Sequence, residues 1–81
     1  MARISVASDS DGYLLRLGEA IRAHRKAIGL SQEALADAAM IDRAHMGKIE
    51  RSESNVTILN FFRIASPLDI ESSALLAKAG L

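Results

Sequence analysis

The stretch of residues 30–50 constrains the fold of this chain more than any other part of it. Its sequence, LSQEALADAAMIDRAHMGKIE, contains two short amphipathic patterns joined by a tight turn. Helices this short are marginal in water when isolated, because few hydrogen bonds offset the ordering of the backbone. Neighbouring helices must therefore hold both of them. The second pattern has few apolar residues to bury, so we expect its other side chains to face solvent.

Capping residues and apolar spacing predict five helices after the first eleven residues. Asp9 and Asp11 offer carboxylates near the start of the first helix, whose apolar face extends to Ile28. Gly29 suits the left-handed position beyond its end, and Gly80 closes the fifth helix in the same way. The predicted helices cover 12–28, 32–39, 43–51, 58–66 and 70–79, with Ser31, Asp42, Thr57 and Asp69 as N-caps of the second to the fifth.

We expect a single all-α domain over residues 12–81, preceded by a flexible arm over residues 1–11. Chain termini are commonly disordered, although Ile4 and Val6 alternate with polar residues and leave a short strand open. The chain contains no cysteine, which excludes disulfides and suits the reducing cytoplasm. It also has no apolar run near the ~18 residues of a membrane helix and no apolar core of a signal peptide. We therefore expect a cytoplasmic protein that does not contact a membrane.

Charge alone does not identify a partner. Ten basic and ten acidic residues balance over the whole chain. Residues 14–51 contain seven basic and five acidic residues. This excess is far from the strongly basic footprint that indicates nucleic-acid binding by itself.

The second helix of the pair, over residues 43–51, has an outward face that suits base recognition. If Met46 and Ile49 face the core, the outward side chains are Arg43, Ala44 and Lys48, with His45 at the edge. Arginine pairs with guanine through two hydrogen bonds, alanine meets a thymine methyl group, and lysine reaches guanine or phosphate. Spacing alone leaves two interpretations open, a DNA-reading face and an ordinary solvated face.

The chain resembles the phage repressor and Cro-like group, the Xre family of regulators, in the motifs GLSQEALADAA and IDRAHMGKIERSESN. Thr57 and the pair Ile64-Ala65 extend the resemblance, which covers residues 13–70. Within this family the chain resembles restriction–modification controller proteins. Like them, it has an Asp-Arg start to the third helix and an Asn-x-Thr-Ile entry to the fourth. The resemblance implies a five-helix lambda-repressor-like fold with helices two and three as the helix–turn–helix. As a homodimer, such a regulator is expected to bind a palindromic operator in double-stranded DNA.

The resemblance assigns roles to individual positions. Base contacts are implied for Arg43, Ala44 and Lys48, with His45 at the margin. Phosphate contacts are implied for Gln32, Arg51 and Asn55, and we add Arg22 to this set. Arg25 and Glu50 match a partly buried ion pair that ties helix one to helix three, which is a positioning role and not a catalytic one.

The chain also departs from the family pattern. Met40 occupies a turn position usually given to glycine, which implies backbone strain if its φ is positive. Ser52 replaces another usual glycine, and Val56 replaces a frequent proline. These departures concern the turn and the loop rather than the fold.

The fourth and fifth helices predict a second surface. By its resemblance to the family, the chain is expected to bury the following residues of this region in the core: Ile58, Phe61, Ile64, Ala65 and Leu68. The apolar residues left outside are Leu59, Phe62, Leu75 and Leu76. A contiguous exposed apolar patch marks an interface, so we predict a homodimer contact there. The alternative is that helix five folds across helix four.

Nothing in the sequence supports catalysis. The two histidines, His24 and His45, have no carboxylate at metal-ligand spacing, and no histidine is placed to activate a serine. We therefore predict no enzyme activity, no metal and no cofactor. The predicted function is a sequence-specific transcriptional regulator, with activation or repression left open and RNA polymerase as a further partner of an activator. The alternative is an antitoxin or another protein-interaction module that uses the same fold.

Overall fold

Five helices make up the part of the chain that the computed structural model describes, residues 9–81. They are α1 (Tyr13–Ala27), α2 (Gln32–Ala39), α3 (Arg43–Glu50), α4 (Ile58–Ala65) and α5 (Ser72–Lys78). The all-α prediction is confirmed. None of these helices is long and apolar enough to cross a membrane. Most of the predicted arm, residues 1–8, lies outside the described residues.

Side-chain caps begin α2, α3 and α4 where the sequence predicts them. Ser31 Oγ and Thr57 Oγ1 each accept a hydrogen bond from the amide three residues later, at 3.0 and 3.1 Å. Asp42 Oδ2 accepts from the amides two and three residues later, at 3.1 and 3.3 Å. These bonds satisfy amides that have no partner inside the helix, so the three helix starts are set locally.

The start of α1 is capped by a residue outside the helix. Gly12 precedes α1 with a left-handed backbone (φ 74°) and has no side chain to cap it. Asp9 Oδ2 instead accepts hydrogen bonds from the amides of the second and third helical residues, at 3.0 and 3.4 Å. Asp11 is exposed and takes no part. At the other end the helix stops one residue early, so Ile28 is 47% exposed and does not extend the buried face as predicted.

The fifth helix begins two residues later than predicted, at Ser72. Asp69, the predicted N-cap, has a left-handed backbone (φ 55°). Its amide donates to the Ser66 carbonyl oxygen at 3.0 Å, so Asp69 closes the turn after α4 and does not start α5. Glu71 precedes α5 with extended backbone and makes no side-chain cap. Gly80 has the expected left-handed conformation beyond its end (φ 77°).

One apolar core lies between the five helices. α3 packs against α1 and α2, α4 packs against α2 and α5, and α5 also packs against α1. The largest fully buried side chains are those of Ile21, Leu35, Met46, Ile49, Ile64, Leu68 and Leu75. Met46 and Ile49, the predicted inward residues of α3, are among them. Since α3 contacts two other helices, tertiary packing sets its orientation.

Two predictions about α4 and α5 are wrong. Ile58, expected in the core, is 67% exposed. It is the first residue of α4, where a side chain leans back over the helix start and away from the body of the core. Leu75, expected on an exposed patch, is fully buried. Because α5 is short and packs against both α1 and α4, Leu75 fills its inner face, and Ala79 is buried just beyond its end.

Candidate DNA interface

A buried ion pair fixes α3 against α1. Arg25 Nε donates to Glu50 Oε2 at 2.8 Å, and Arg25 Nη2 donates to Glu50 Oε1 at 2.9 Å. The two residues are 8% and 5% exposed. Arg25 Nη1 also donates to the Leu30 carbonyl oxygen at 3.0 Å, and Gln32 Nε2 donates to Glu50 Oε1 at 3.2 Å. The network therefore joins α1, the start of α2 and the end of α3, and its two-point geometry sets orientation as well as distance.

Gly18 allows α1 to approach the end of α3. A Cβ atom at this position would lie 2.7 Å from the Ile49 carbonyl oxygen and 2.8 Å from Ser52 Oγ. Both distances are shorter than van der Waals contact, so any side chain here would push α1 away from α3. Sequence reasoning missed this residue. A glycine inside an otherwise helical apolar pattern was the signal that could have found it.

The turn between α2 and α3 contains a non-glycine residue with a left-handed backbone. Met40 has φ 58° and ψ 42°. This conformation costs a residue with a Cβ roughly 1–2 kcal/mol. The Met40 side chain is 82% exposed, so side-chain packing does not hold it there. The conformation follows from closing the turn, in which the Ile41 amide donates to the Ala36 carbonyl oxygen at 2.9 Å.

Ser52, the second departure from the family pattern, also has a left-handed backbone (φ 62°). Its Oγ donates to the Leu14 carbonyl oxygen at 3.0 Å. This bond ties the loop after α3 to the first turn of α1. Val56, the third departure, is half-buried and packs against the core. The loop is therefore anchored at both ends.

An open groove crosses the outward face of α2 and α3. Its lining residues are Gln32, Asp42, Arg43, Ala44, Gly47, Lys48 and Arg51. The structure thus brings together three of the predicted base contacts and two of the predicted phosphate contacts. The side chains of Arg43, Ala44 and Lys48 are exposed within it. Their positions match a surface that another molecule can reach.

Gly47 keeps this groove open where α2 and α3 meet. A Cβ atom there would lie 2.9 Å from Arg51 Nη1 and 3.4 Å from Gln32 Oε1. A side chain would therefore displace Arg51 and crowd Gln32. The close neighbour of Gly47 is thus the Arg51 side chain, one turn further along the chain.

Three predicted contact residues lie outside the groove lining. Arg22 is exposed on α1, His45 is half-buried on α3, and Asn55 is exposed in the loop after α3. Asn55 Oδ1 accepts a hydrogen bond from the Val56 amide at 3.0 Å. Its NH₂ group is therefore the part of this side chain that can donate outward.

Two exposed glutamates pair with the arginines of the groove. Arg43 Nη1 lies 3.4 Å from Glu33 Oε2. Arg51 donates through Nε and Nη2 to the two carboxylate oxygens of Glu53, at 3.1 and 3.3 Å. All four side chains are more than half exposed, so each pair contributes at most about 1 kcal/mol to stability. The groove is therefore polar without being strongly positive.

A second exposed surface, the α4 apolar surface, consists of Ile58, Leu59 and Phe62. Their exposed fractions are 67%, 55% and 51%. Leu76, which was predicted with them, is half-buried against the core. Leu75 is removed from the predicted patch by its burial, and Ile58 is added to it. α5 does pack against α4, as the alternative prediction has it, but it leaves Leu59 and Phe62 uncovered.

The described residues offer no grouped metal ligands. Among residues 9–81, no three histidine, cysteine, aspartate or glutamate side chains are placed to hold a metal ion. His24 Nε2 lies 3.0 Å from the Leu68 carbonyl oxygen, so the Nε2 hydrogen donates there. This histidine links α1 to the segment after α4.

Two short packed helices, a tight turn between them and an exposed polar groove on the second define a helix–turn–helix DNA-binding module. The helix-turn-helix family model matches residues 21–75, which is more than half of the chain. The chain belongs to this family of DNA-binding transcriptional regulators.

The chain is similar to two controller proteins and shares its fold with another regulator. It is 37% identical over 65 residues to the control protein C.SmaI of Serratia marcescens, covering 80% of this chain and 77% of that protein. The structure of the restriction-modification controller protein C.AhdI from Aeromonas hydrophila is 42% identical, with a TM-score of 0.74 over 76% of this chain and 94% of that one. The clp gene regulator ClgR from Corynebacterium glutamicum has the same fold, with a TM-score of 0.81 at 22% identity over 84% of this chain and 72% of that one.

These similarities confirm the predicted family. The chain is an Xre-like helix–turn–helix protein homologous to the controller proteins, and its five-helix architecture is that of its relatives. Because these homologues are regulators, the prediction that the chain is not an enzyme is also confirmed.

Proposed function

We propose that this protein binds a palindromic operator as a homodimer and regulates transcription as a controller protein. Its homology with controller proteins supports this role. The observation that carries the proposal is the polar groove on α3, whose opposite side is held by the buried Arg25–Glu50 pair. A recognition helix held in this way can enter the major groove as a rigid unit. The proposed place of action is the cytoplasm, where bacterial DNA lies.

The outward residues of α3 supply the proposed base contacts. The guanidinium of Arg43 carries forked donors that match the O6 and N7 acceptors of guanine. Ala44 suits the methyl group of thymine, and Lys48 suits guanine or a phosphate. His45 lies between Ala44 and Lys48 in the chain, at the half-buried edge of the same helix. We assign it a marginal contact.

Phosphate contacts are proposed for Gln32, Arg51, Asn55 and Arg22. Gln32 is the first residue of α2, and the N-terminus of a helix favours anions. Its Nε2 already donates one hydrogen to Glu50 at 3.2 Å, which holds the amide in place and leaves a second hydrogen for a phosphate oxygen. Arg51 and Asn55 follow at the end of α3 and in the next loop. Such contacts set the register of the protein on DNA without reading the sequence.

The α4 apolar surface supplies the proposed dimer contact. Ile58, Leu59 and Phe62 lie within one helical turn of each other, so their exposed side chains form a contiguous surface. When the same surface of a second copy covers it, the contact is isologous and the dimer is twofold. Leu76 is proposed at its half-buried border. A twofold dimer carries two copies of α3 and so reads two half-sites about 34 Å apart.

Selection of bound duplexes from a random DNA pool tests this function. We expect enrichment of a palindrome whose half-sites are centred about one helical turn apart. A pool without an enriched palindrome, together with stoichiometric co-purification of an unrelated protein, would identify the chain as an interaction module such as an antitoxin. If promoter assays with the selected operator show activation, RNA polymerase becomes the expected further partner.

Arg43→Ala tests the assignment of the reading face. We expect operator binding to weaken by roughly 1–3 kcal/mol and base preference to relax at one position of each half-site, because the bidentate contact is lost. Lys78→Ala, at the end of α5, removes one positive charge outside the groove and serves as the matched control. If the two variants bind the operator equally well, Arg43 is not a base reader.

A further inference from the structure

The two arginines of the groove are both paired with carboxylates in the free protein. Arg51 uses Nε and Nη2 to bind both oxygens of Glu53, at 3.1 and 3.3 Å. These two nitrogens form one edge of the guanidinium, the edge that would also bind two oxygens of a phosphate. Glu53 therefore occupies the donors that Arg51 would present to DNA.

Glu33 acts on Arg43 in a related way. Its Oε2 lies 3.4 Å from Arg43 Nη1. Glu33 lies in the first turn of α2, beside Gln32, which lines the groove. A DNA phosphate that approaches the start of α2 would therefore meet a carboxylate as well as the favourable helix terminus. Asp42 also lines the groove, so the positive charge of the groove is largely balanced by nearby acids.

We propose that Glu33 and Glu53 are specificity-determining residues that reduce binding to non-cognate DNA. The proposal rests on the reading face described above. An operator, which engages both arginines, must replace the two carboxylates, whereas random DNA can bind with both ion pairs intact. Exposed ion pairs are weak, so the base contacts of an operator readily offset this replacement. Random DNA offers only phosphates, and for it the two carboxylates remain a repulsive term.

This role differs from simple stabilisation of the fold. Glu53 belongs to no helix, and it contacts Arg51 two residues before it in the chain. Glu33 lies near the α2 N-terminus, where a carboxylate adds a small helix stabilisation. A purely structural role for either residue would change the free energy of unfolding without changing the salt dependence of DNA binding. The salt dependence therefore separates the two roles.

The test compares Glu33→Gln and Glu53→Gln with Glu19→Gln. Glu19 is an exposed acid of α1 that lines a cleft with Lys78 of α5, so its substitution makes the same charge change away from the groove. Binding of each variant to a random-sequence duplex is measured from 50 to 200 mM NaCl. We expect Glu33→Gln and Glu53→Gln each to bind this duplex about threefold more tightly than the wild type at low salt. The salt slope of binding should be steeper by up to about 0.9. The ratio of operator to random affinity should fall, and Glu19→Gln should match the wild type.

Three outcomes separate this inference from the function on which it rests. If Arg43→Ala weakens operator binding while Glu33→Gln and Glu53→Gln both behave like Glu19→Gln, the inference about the carboxylates is wrong and the reading face stands. If Arg43→Ala changes nothing, the reading face itself is wrong. If Glu33→Gln and Glu53→Gln raise random-duplex affinity without steepening the salt slope, electrostatic suppression is excluded as the cause.

Discussion

α3 and α4 are built alike and expose opposite kinds of surface. Each has eight residues, a side-chain N-cap and two helices packed against it. α3 exposes Arg43, Ala44 and Lys48, whereas α4 exposes Ile58, Leu59 and Phe62. The first surface suits base edges and phosphates, and the second suits another apolar surface. Two helices of the same size on one core thus present different kinds of surface through the residues that the core does not use.

The inner faces of the two helices differ as well. α4 is held by the apolar side chains of Phe61, Ile64 and Ala65. α3 buries Met46 and Ile49 and adds the carboxylate of Glu50, which binds Arg25 at two points. Apolar packing holds a helix on the core, while a two-point ion pair also limits its rotation. A helix that reads bases needs this restraint, because recognition groups must be placed to within about 0.5 Å.

Removing the anchor of α3 is expected to have the largest effect. Glu50→Ala strands the buried charge of Arg25, and we expect unfolding free energy to fall by roughly 3–5 kcal/mol in urea denaturation. Glu53→Ala removes a carboxylate from an exposed pair and should change stability by less than about 1 kcal/mol. Similar losses for the two variants would mean that burial does not make the Arg25–Glu50 pair a stronger anchor of α3 than an exposed pair.

Charging the surface of α4 is expected to have the next largest effect. Leu59→Asp or Phe62→Asp places a carboxylate inside the proposed dimer contact, and we expect dimerisation to weaken by at least about 2 kcal/mol. Sedimentation should then show a folded monomer with poor operator affinity. Leu15→Asp, at an apolar residue of α1 that is 51% exposed, is the control and should leave the dimer intact. A Leu59→Asp protein that remains dimeric would assign the α4 apolar surface to another partner.

Removing the N-cap of α3 or of α4 is expected to cost the same stability, so the two variants show whether DNA binding depends on α3 in particular. Asp42→Ala and Thr57→Ala each remove a side-chain acceptor from exposed helix amides, and we expect each to lower stability by about 1 kcal/mol. Thermal unfolding measures both. Only Asp42→Ala should also alter operator binding, since Asp42 lines the groove and precedes the reading residues. Equal effects of the two variants on DNA binding would show that stability alone controls affinity.

The smallest expected effect concerns the turn before α3. Met40→Gly removes left-handed strain from an exposed side chain, and we expect a net gain of about 0.5 kcal/mol after the larger chain entropy of glycine is included. Ser52→Gly is the matched variant at the other left-handed position. It should show no gain, because it also removes the hydrogen bond from Ser52 Oγ to the Leu14 carbonyl oxygen. Denaturation midpoints of both variants test whether side-chain bonding distinguishes the two sites.

The features that were predictable from the sequence are mostly local. The caps Ser31, Asp42 and Thr57 act on amides two or three residues away, so a few neighbouring residues suffice to predict them. The family pattern marks Met40 as a position where a positive φ would bring strain, and its φ is 58°. The family resemblance also singled out Arg25 and Glu50. Spacing could not have paired them, because residues so far apart in sequence meet only after α1 and α3 pack.

The wrong predictions concern residues whose burial depends on how one helix packs against another. Leu75 and Leu76 are adjacent on α5, and their side chains point about 100° apart around the helix. A rotation of α5 about its axis by a comparable angle would therefore exchange which of them is buried. That rotation depends on the turn closed by Asp69, a residue type that in the sequence predicts a helix start. Ile58 was misassigned for a related reason, since a periodic pattern does not show where a helix leaves the core.

Residues close together in the chain suffice to predict the helix–turn–helix, the caps that begin α2, α3 and α4, and the polar face of α3. The folded arrangement of the helices is needed to show that Gly18 lets α1 approach α3, that Glu33 and Glu53 pair with the groove arginines, and that Leu75 belongs to the core. The physical reason is the range of the interactions. Caps and turns are closed by hydrogen bonds between near neighbours, whereas the exposed surface of each helix depends on the rotation that packing against distant residues imposes.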